Sequence, residues 1–149
     1  MPDVRRKYVV ETDWLANHLG APDMVVLDGS WHLPTAGRDA RGPGRFSGAE
    51  PEPRPGLRSG HIPGARNVPY TMLLNADGTL KSGAELRQVF KARGVDPTRP
   101  VVTTCGSGIT AAILSLGLAL AGQPDSGLYD GSWAEWGRDN GLPVATGAA

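Results

Sequence analysis

Val101 to Thr110 read "VVTTCGSGIT", and the reading of this stretch decides the fold. A β-branched run stops at Cys105, Gly106, Ser107 and Gly108 follow, and an apolar segment then begins. β-branched residues favour a strand and the glycines mark a turn. The next segment, "ITAAILSLGLALAG", is apolar nearly all round, which predicts a helix buried against a sheet. A strand passing through a glycine-rich turn into a helix is the repeating unit of a parallel sheet.

The same alternation extends in both directions. "SGAELRQVFKARG" (Ser82 to Gly94) predicts an amphipathic helix with Leu86, Val89 and Phe90 on one face, Ser82 as N-cap and Gly94 at C′. "TDWLANHL" (Thr12 to Leu19) predicts a short helix capped by Thr12, and "MVVLD" (Met24 to Asp28) a buried parallel strand with Asp28 anchoring local backbone. "RNVPY" and "GLYDGS" read as further short strands, and "WAEWGRDN" as a closing helix that places Trp133 and Trp136 in the core. Between about residues 29 and 59 no periodicity shows. That stretch holds "PTAGRDARGPGR" and "EPEPRPG", which predict one long irregular loop. The fold class is α/β, a mostly parallel central sheet flanked by helices.

The chain has 149 residues, enough for one domain with a real core. Fifteen basic and 15 acidic residues cancel, so charge points to no nucleic-acid or membrane-surface partner. A single cysteine excludes an internal disulfide, and His18, His32 and His61 show no metal spacing, so neither metal nor cofactor is expected. No apolar stretch follows the basic N-terminus and none is long enough to span a bilayer, so a cytoplasmic location is expected.

Cys105 lies at the carboxyl end of a strand, where ligands bind in such sheets, and before a helix whose first N–H groups lack intrahelical partners. Those dipoles favour a thiolate, the nucleophilic form. Gly106 and Gly108 allow close approach to an anion, and Ser107 and Thr110 offer hydroxyl donors. Two readings remain open from the residues themselves: a buried structural thiol and a nucleophile in a cradle of N–H groups.

With "CGSGIT" in hand, the chain resembles the rhodanese superfamily, and the loop is similar to that of the 3-mercaptopyruvate sulfurtransferases. "SGHIPGARNVP", "GRFSGAEPEPRPG" and "LYDGSWAEWG" carry the same resemblance over nearly the whole chain. Thiosulfate-preferring members tend to have charged loop residues, and none occurs here. The order of the pieces implies a single-domain hybrid. "ETDWLANHL…MVVLDGSWHLPTAGRDAR" is similar to the start of a first rhodanese domain, and "DARGPGRFSG" onward to a second, the two meeting at Asp39 to Arg41. The alternative is a single-domain relative with a long insertion.

The resemblance implies that Cys105 takes sulfur from 3-mercaptopyruvate as a persulfide and passes it to a thiol such as thioredoxin, or to cyanide. Arg45 and Arg54 match the substrate-binding arginines, while Gly106, Gly108, Ile109 and Thr110 complete the loop around the substrate. Ser107, His61 and Asp39 match a triad-like relay. Asp39 fits motifs of either domain, and His61 stands where the second domain's histidine is usually structural. The two-domain enzymes close their pocket between domains, so a lone domain implies either weak activity or a homodimer that rebuilds the wall. Phosphatases with a similar loop need an arginine after it, but Ala111 stands there. The remaining alternatives are a thiosulfate sulfurtransferase and a carrier that accepts sulfur without turnover.

Overall fold

The computed structural model describes residues 9–22, 24–29, 43–106 and 109–148. Four parallel strands form its sheet: β1 (Val25–Asp28), β2 (Arg66–Asn67), β3 (Val101–Thr104) and β4 (Gly127–Leu128), in the spatial order β2-β1-β3-β4. Five α-helices accompany them among the described residues: α1 (Thr12–Asn17), α2 (Pro43–Ser47), α3 (Gly83–Ala92), α4 (Ile109–Leu120) and α5 (Ser132–Trp136), with a 3₁₀ turn at Tyr70–Leu73.

Alternation along the two central strands divides the core. Leu27 and Val101 face one way and pack with Leu73, Leu86, Phe90, Leu114 and Leu118 from the 3₁₀ turn, α3 and α4. Val26 and Val102 face the other way, against Leu15, Phe46, Ile62, Tyr129, Trp133 and Trp136. All four β3 residues are buried, as a strand covered on both faces requires. Its two threonines follow the same alternation. Thr103 Oγ1 bonds to Ser115 of α4 at 2.8 Å, whereas Thr104 Oγ1 donates to Ser132 of α5 at 3.3 Å.

Helix α3 has the ends its sequence predicts. Ser82 Oγ accepts from Glu85 N–H, the Glu85 carboxylate accepts from Ser82 N–H at 2.9 Å, and Gly94 takes φ +74° just beyond the C-cap. The strands read from "RNVPY" and "GLYDGS" stop at Asn67 and Leu128, so Tyr70 enters the 3₁₀ turn and Ser132 opens α5, which itself ends at Trp136. Three further expectations need correction. The N-cap of α1 is Glu11, not Thr12. Thr12 is the first helical residue, and its hydroxyl instead reaches across the fold to Tyr129 and Glu135. The long loop is not wholly irregular, since α2 forms within it from "PGRFS", led by a proline whose missing N–H costs nothing at a helix start. Nor is α4 buried all round. Ile109, Leu116 and Leu120 are exposed at 74%, 50% and 48%, because the sheet and α3 cover only one side of the helix. None of the described helices is long and apolar enough to cross a membrane.

Candidate active site

The chain passes from β3 into Cys105 at the carboxyl end of a central strand, and the thiol-bearing residue is 2% exposed. Its backbone is held by the start of α5. Cys105 N–H donates to Ser132 Oγ at 3.1 Å, and Cys105 C=O accepts from Trp133 N–H at 2.9 Å. Gly106 C=O accepts from Ala134 N–H at 3.0 Å, so three consecutive residues of α5 bind two consecutive residues of the loop. Among the described residues no peptide bond is cis. In a planar trans peptide the N–H points opposite to the C=O, so the Gly106 N–H faces away from α5.

Sequence reasoning missed Ser132, which is fully buried and takes φ +49°, the one positive φ among the described non-glycine residues. That conformation costs an L-residue about 1–2 kcal/mol. Its hydroxyl accepts from Cys105 N–H and Thr104 Oγ1 and donates to Tyr129 C=O at 2.9 Å. The sequence placed Ser132 at the end of a strand read from "GLYDGS", and no sequence signal gives the sign of φ or a partner 27 residues away.

Arg54 is brought to the loop. Its Nη1 donates to Gly106 C=O at 3.3 Å, and its Nε lies 3.6 Å from Glu52 Oε1. Sequence reasoning also overlooked Glu52, whose side chain is fully buried. Arg45 is 6% exposed within α2, and its carbonyl accepts from the N–H groups of Gly48 and Gly60.

His61 is built into the scaffold around α2. Its Nδ1 is 2.7 Å from Phe46 C=O, its ring stacks on Phe46 at 3.9 Å, and its backbone exchanges two hydrogen bonds with Ala145. These contacts place the ring beside the helix that carries Arg45. Thr110 is buried in the first turn of α4, while neighbouring Ile109 projects outward. Asp39, Ser107 and Gly108 lie outside the described residues. Asp28 pairs in register with Thr104, beside the cysteine, and its carbonyl anchors Val68 N–H at 2.9 Å and the Asn67 amide at 3.3 Å.

Arg58 is a further residue the sequence did not single out. Its guanidinium donates to the carbonyls of Trp136, Gly137 and Leu142, and its own carbonyl accepts from Trp133 Nε1 at 2.9 Å. This latch fixes the segment bearing Glu52 and Arg54 to the helix that holds the cysteine loop.

A four-stranded parallel sheet with flanking helices, and a backbone-clamped cysteine at the carboxyl end of a central strand, make this an α/β domain with its candidate site where ligands bind in such sheets. Residues 11–139 match the rhodanese-like domain, and the chain belongs to that family. It is 52% identical over 98 residues to the human 3-mercaptopyruvate sulfurtransferase, an alignment covering 66% of this chain and 33% of the relative. Over 99 residues it is 48% identical to the bovine thiosulfate sulfurtransferase, covering 66% of this chain and 33% of that protein. The crystal structure of Tum1 from Saccharomyces cerevisiae superposes with a TM-score of 0.77 at 32% identity, covering 97% of this chain and 48% of Tum1. The matched region thus spans about a third of these curated relatives and half of the solved structure.

Proposed function

We propose that this chain is a sulfurtransferase that moves sulfane sulfur from 3-mercaptopyruvate to a thiol, with thioredoxin as the protein acceptor and cyanide as a substitute. The observation that carries the reading is the clamped, buried Cys105 at the head of an uncharged "CGSGIT" loop. The Cys105 thiolate attacks the sulfur of the donor. The carbon–sulfur bond breaks, its electron pair passes to carbon as the enolate of pyruvate, and protonation releases pyruvate. Cys105 is left as a persulfide. An acceptor thiolate then attacks the outer sulfur, forms its own persulfide and restores the Cys105 thiolate. A second thiol of the acceptor reduces that product, releasing hydrogen sulfide and closing a disulfide.

Amide donors suit the persulfide anion better than a neighbouring carboxylate would, and the Gly106 N–H is one such donor. The donor's carboxylate and keto oxygens call for a planar cation, the role given to Arg54 and Arg45. Ser107 is assigned proton transfer at the loop, with Asp39 as a candidate partner. The stacking and hydrogen bond of His61 favour a role in holding α2 over one at the thiol.

Likeness to the bovine enzyme supports thiosulfate as the second donor to test. Pyruvate release from 3-mercaptopyruvate should be followed with excess reduced thioredoxin for the chain and Cys105→Ser, with sulfite release followed in a parallel reaction on thiosulfate. Multiple turnovers on 3-mercaptopyruvate that vanish in Cys105→Ser are expected. Turnover on thiosulfate alone would reassign the donor, and one equivalent of pyruvate per chain would make this domain a carrier.

A further inference from the structure

The hydroxyl of Ser132 has three partners, and it is saturated by them: one proton to donate and two lone pairs to accept with. Two of those partners, Cys105 N–H and Thr104 Oγ1, belong to the end of β3 and the cysteine itself. The third, Tyr129 C=O, holds the hydroxyl in place from the segment leading into α5. A glycine would take φ +49° without strain, so the serine is useful here for its oxygen rather than for its backbone. That same left-handed turn brings the N–H groups of Trp133 and Ala134 onto the next two carbonyls of the loop.

Cys105 is therefore fixed at both ends of its backbone, by Ser132 Oγ on its N–H and by Trp133 N–H on its C=O. The orientation of the Gly106 N–H follows from the second bond through the planarity of the peptide. We propose that Ser132 is a positioning residue for sulfur transfer: its hydroxyl sets the Cys105 amide, and with it the direction in which the loop presents donors to the transferred sulfur. This inference rests on the sulfurtransferase reading for its consequence in turnover, but not for its consequence in the loop.

Ser132→Gly and Ser132→Ala separate the hydroxyl from the backbone. Both remove the oxygen, but only glycine accepts the left-handed conformation, so the two should differ in thermal unfolding. Turnover on 3-mercaptopyruvate should nonetheless fall in both, by about tenfold or more in kcat with KM changed less than about threefold, as expected when a reacting group is misplaced. Carboxamidomethylation of Cys105 by iodoacetamide, which needs no enzyme activity, should be at least about fivefold faster in both variants, because an unclamped loop exposes a buried thiol more often.

A Ser132→Gly variant that matches the unsubstituted chain in both kcat and labelling rate would overturn the proposal, as would effects confined to the strained alanine. If the unsubstituted chain shows no turnover, the sulfurtransferase reading fails. The labelling rates then decide the role of Ser132 alone.

Discussion

Arg54 meets the cysteine loop through one guanidinium nitrogen and a buried carboxylate through another, the Gly106 carbonyl at 3.3 Å and Glu52 at 3.6 Å. A rigid fork can satisfy two such directions in one plane, whereas an ammonium on a flexible stem cannot. Arg54→Lys should therefore raise KM for 3-mercaptopyruvate by about 10-fold, the worth of one charged hydrogen bond, with a smaller effect on kcat. Steady-state pyruvate release checks this, and an unchanged KM would overturn the proposal that Arg54 binds the donor. At this scale Cys105 was legible because the chain has one cysteine and it interrupts a β-branched run. Arg54 was legible only through its motif. Ser132 was not, because its importance lies in a backbone sign and in contacts made after folding.

Among the elements, α3 was readable to its ends, since a capping box and a left-handed glycine are local devices written into consecutive residues. Helix α2 was missed because five residues cannot show a helical period, and proline and glycine begin it. The exposure of α4 was misjudged for a different reason: composition tells how apolar a helix is, not how much neighbouring structure covers it. The side of α4 that is covered has little slack. A Cβ on Gly117 would sit 2.9 Å from Leu73 Cδ1 and 3.5 Å from the Phe90 ring, and both residues are fully buried. Gly117→Ala gains about 1 kcal/mol of helix propensity but overpacks the contact by about 1–3 kcal/mol. A net loss of about 1 kcal/mol in urea unfolding is expected, and a gain would mean the 3₁₀ turn yields easily.

For the molecule as a whole, the parallel sheet was legible from strands alternating with helices, whereas its order depends on crossovers that span most of the sequence. One such long-range tie joins α1 to α5. Tyr129 OH lies 2.9 Å from Thr12 Oγ1, which also donates to Glu135 of α5. Burial pushes the Tyr129 phenol up to about 12, with Glu135 and Glu11 adding to the rise and the Thr12 bond opposing it. The unfolded chain loses this proton near its ordinary value of 10.0, while the folded chain keeps it. Between these values the unfolded state binds fewer protons, so stability falls as pH rises. Urea unfolding across this alkaline window should show the fall, and Tyr129→Phe should flatten it. Equal slopes in the two proteins would show that other groups govern alkaline unfolding.

The clamp on Cys105 also has a consequence in time. A ribosome makes Cys105 first and the residues that hold it later, because Ser132, Trp133 and Ala134 follow it in the chain. Until α5 has emerged and docked, the backbone of Cys105 and Gly106 lacks the three hydrogen bonds that this helix supplies. The geometry around Cys105 is thereby deferred until α5 has been made, and a product truncated before α5 carries the cysteine without its clamp.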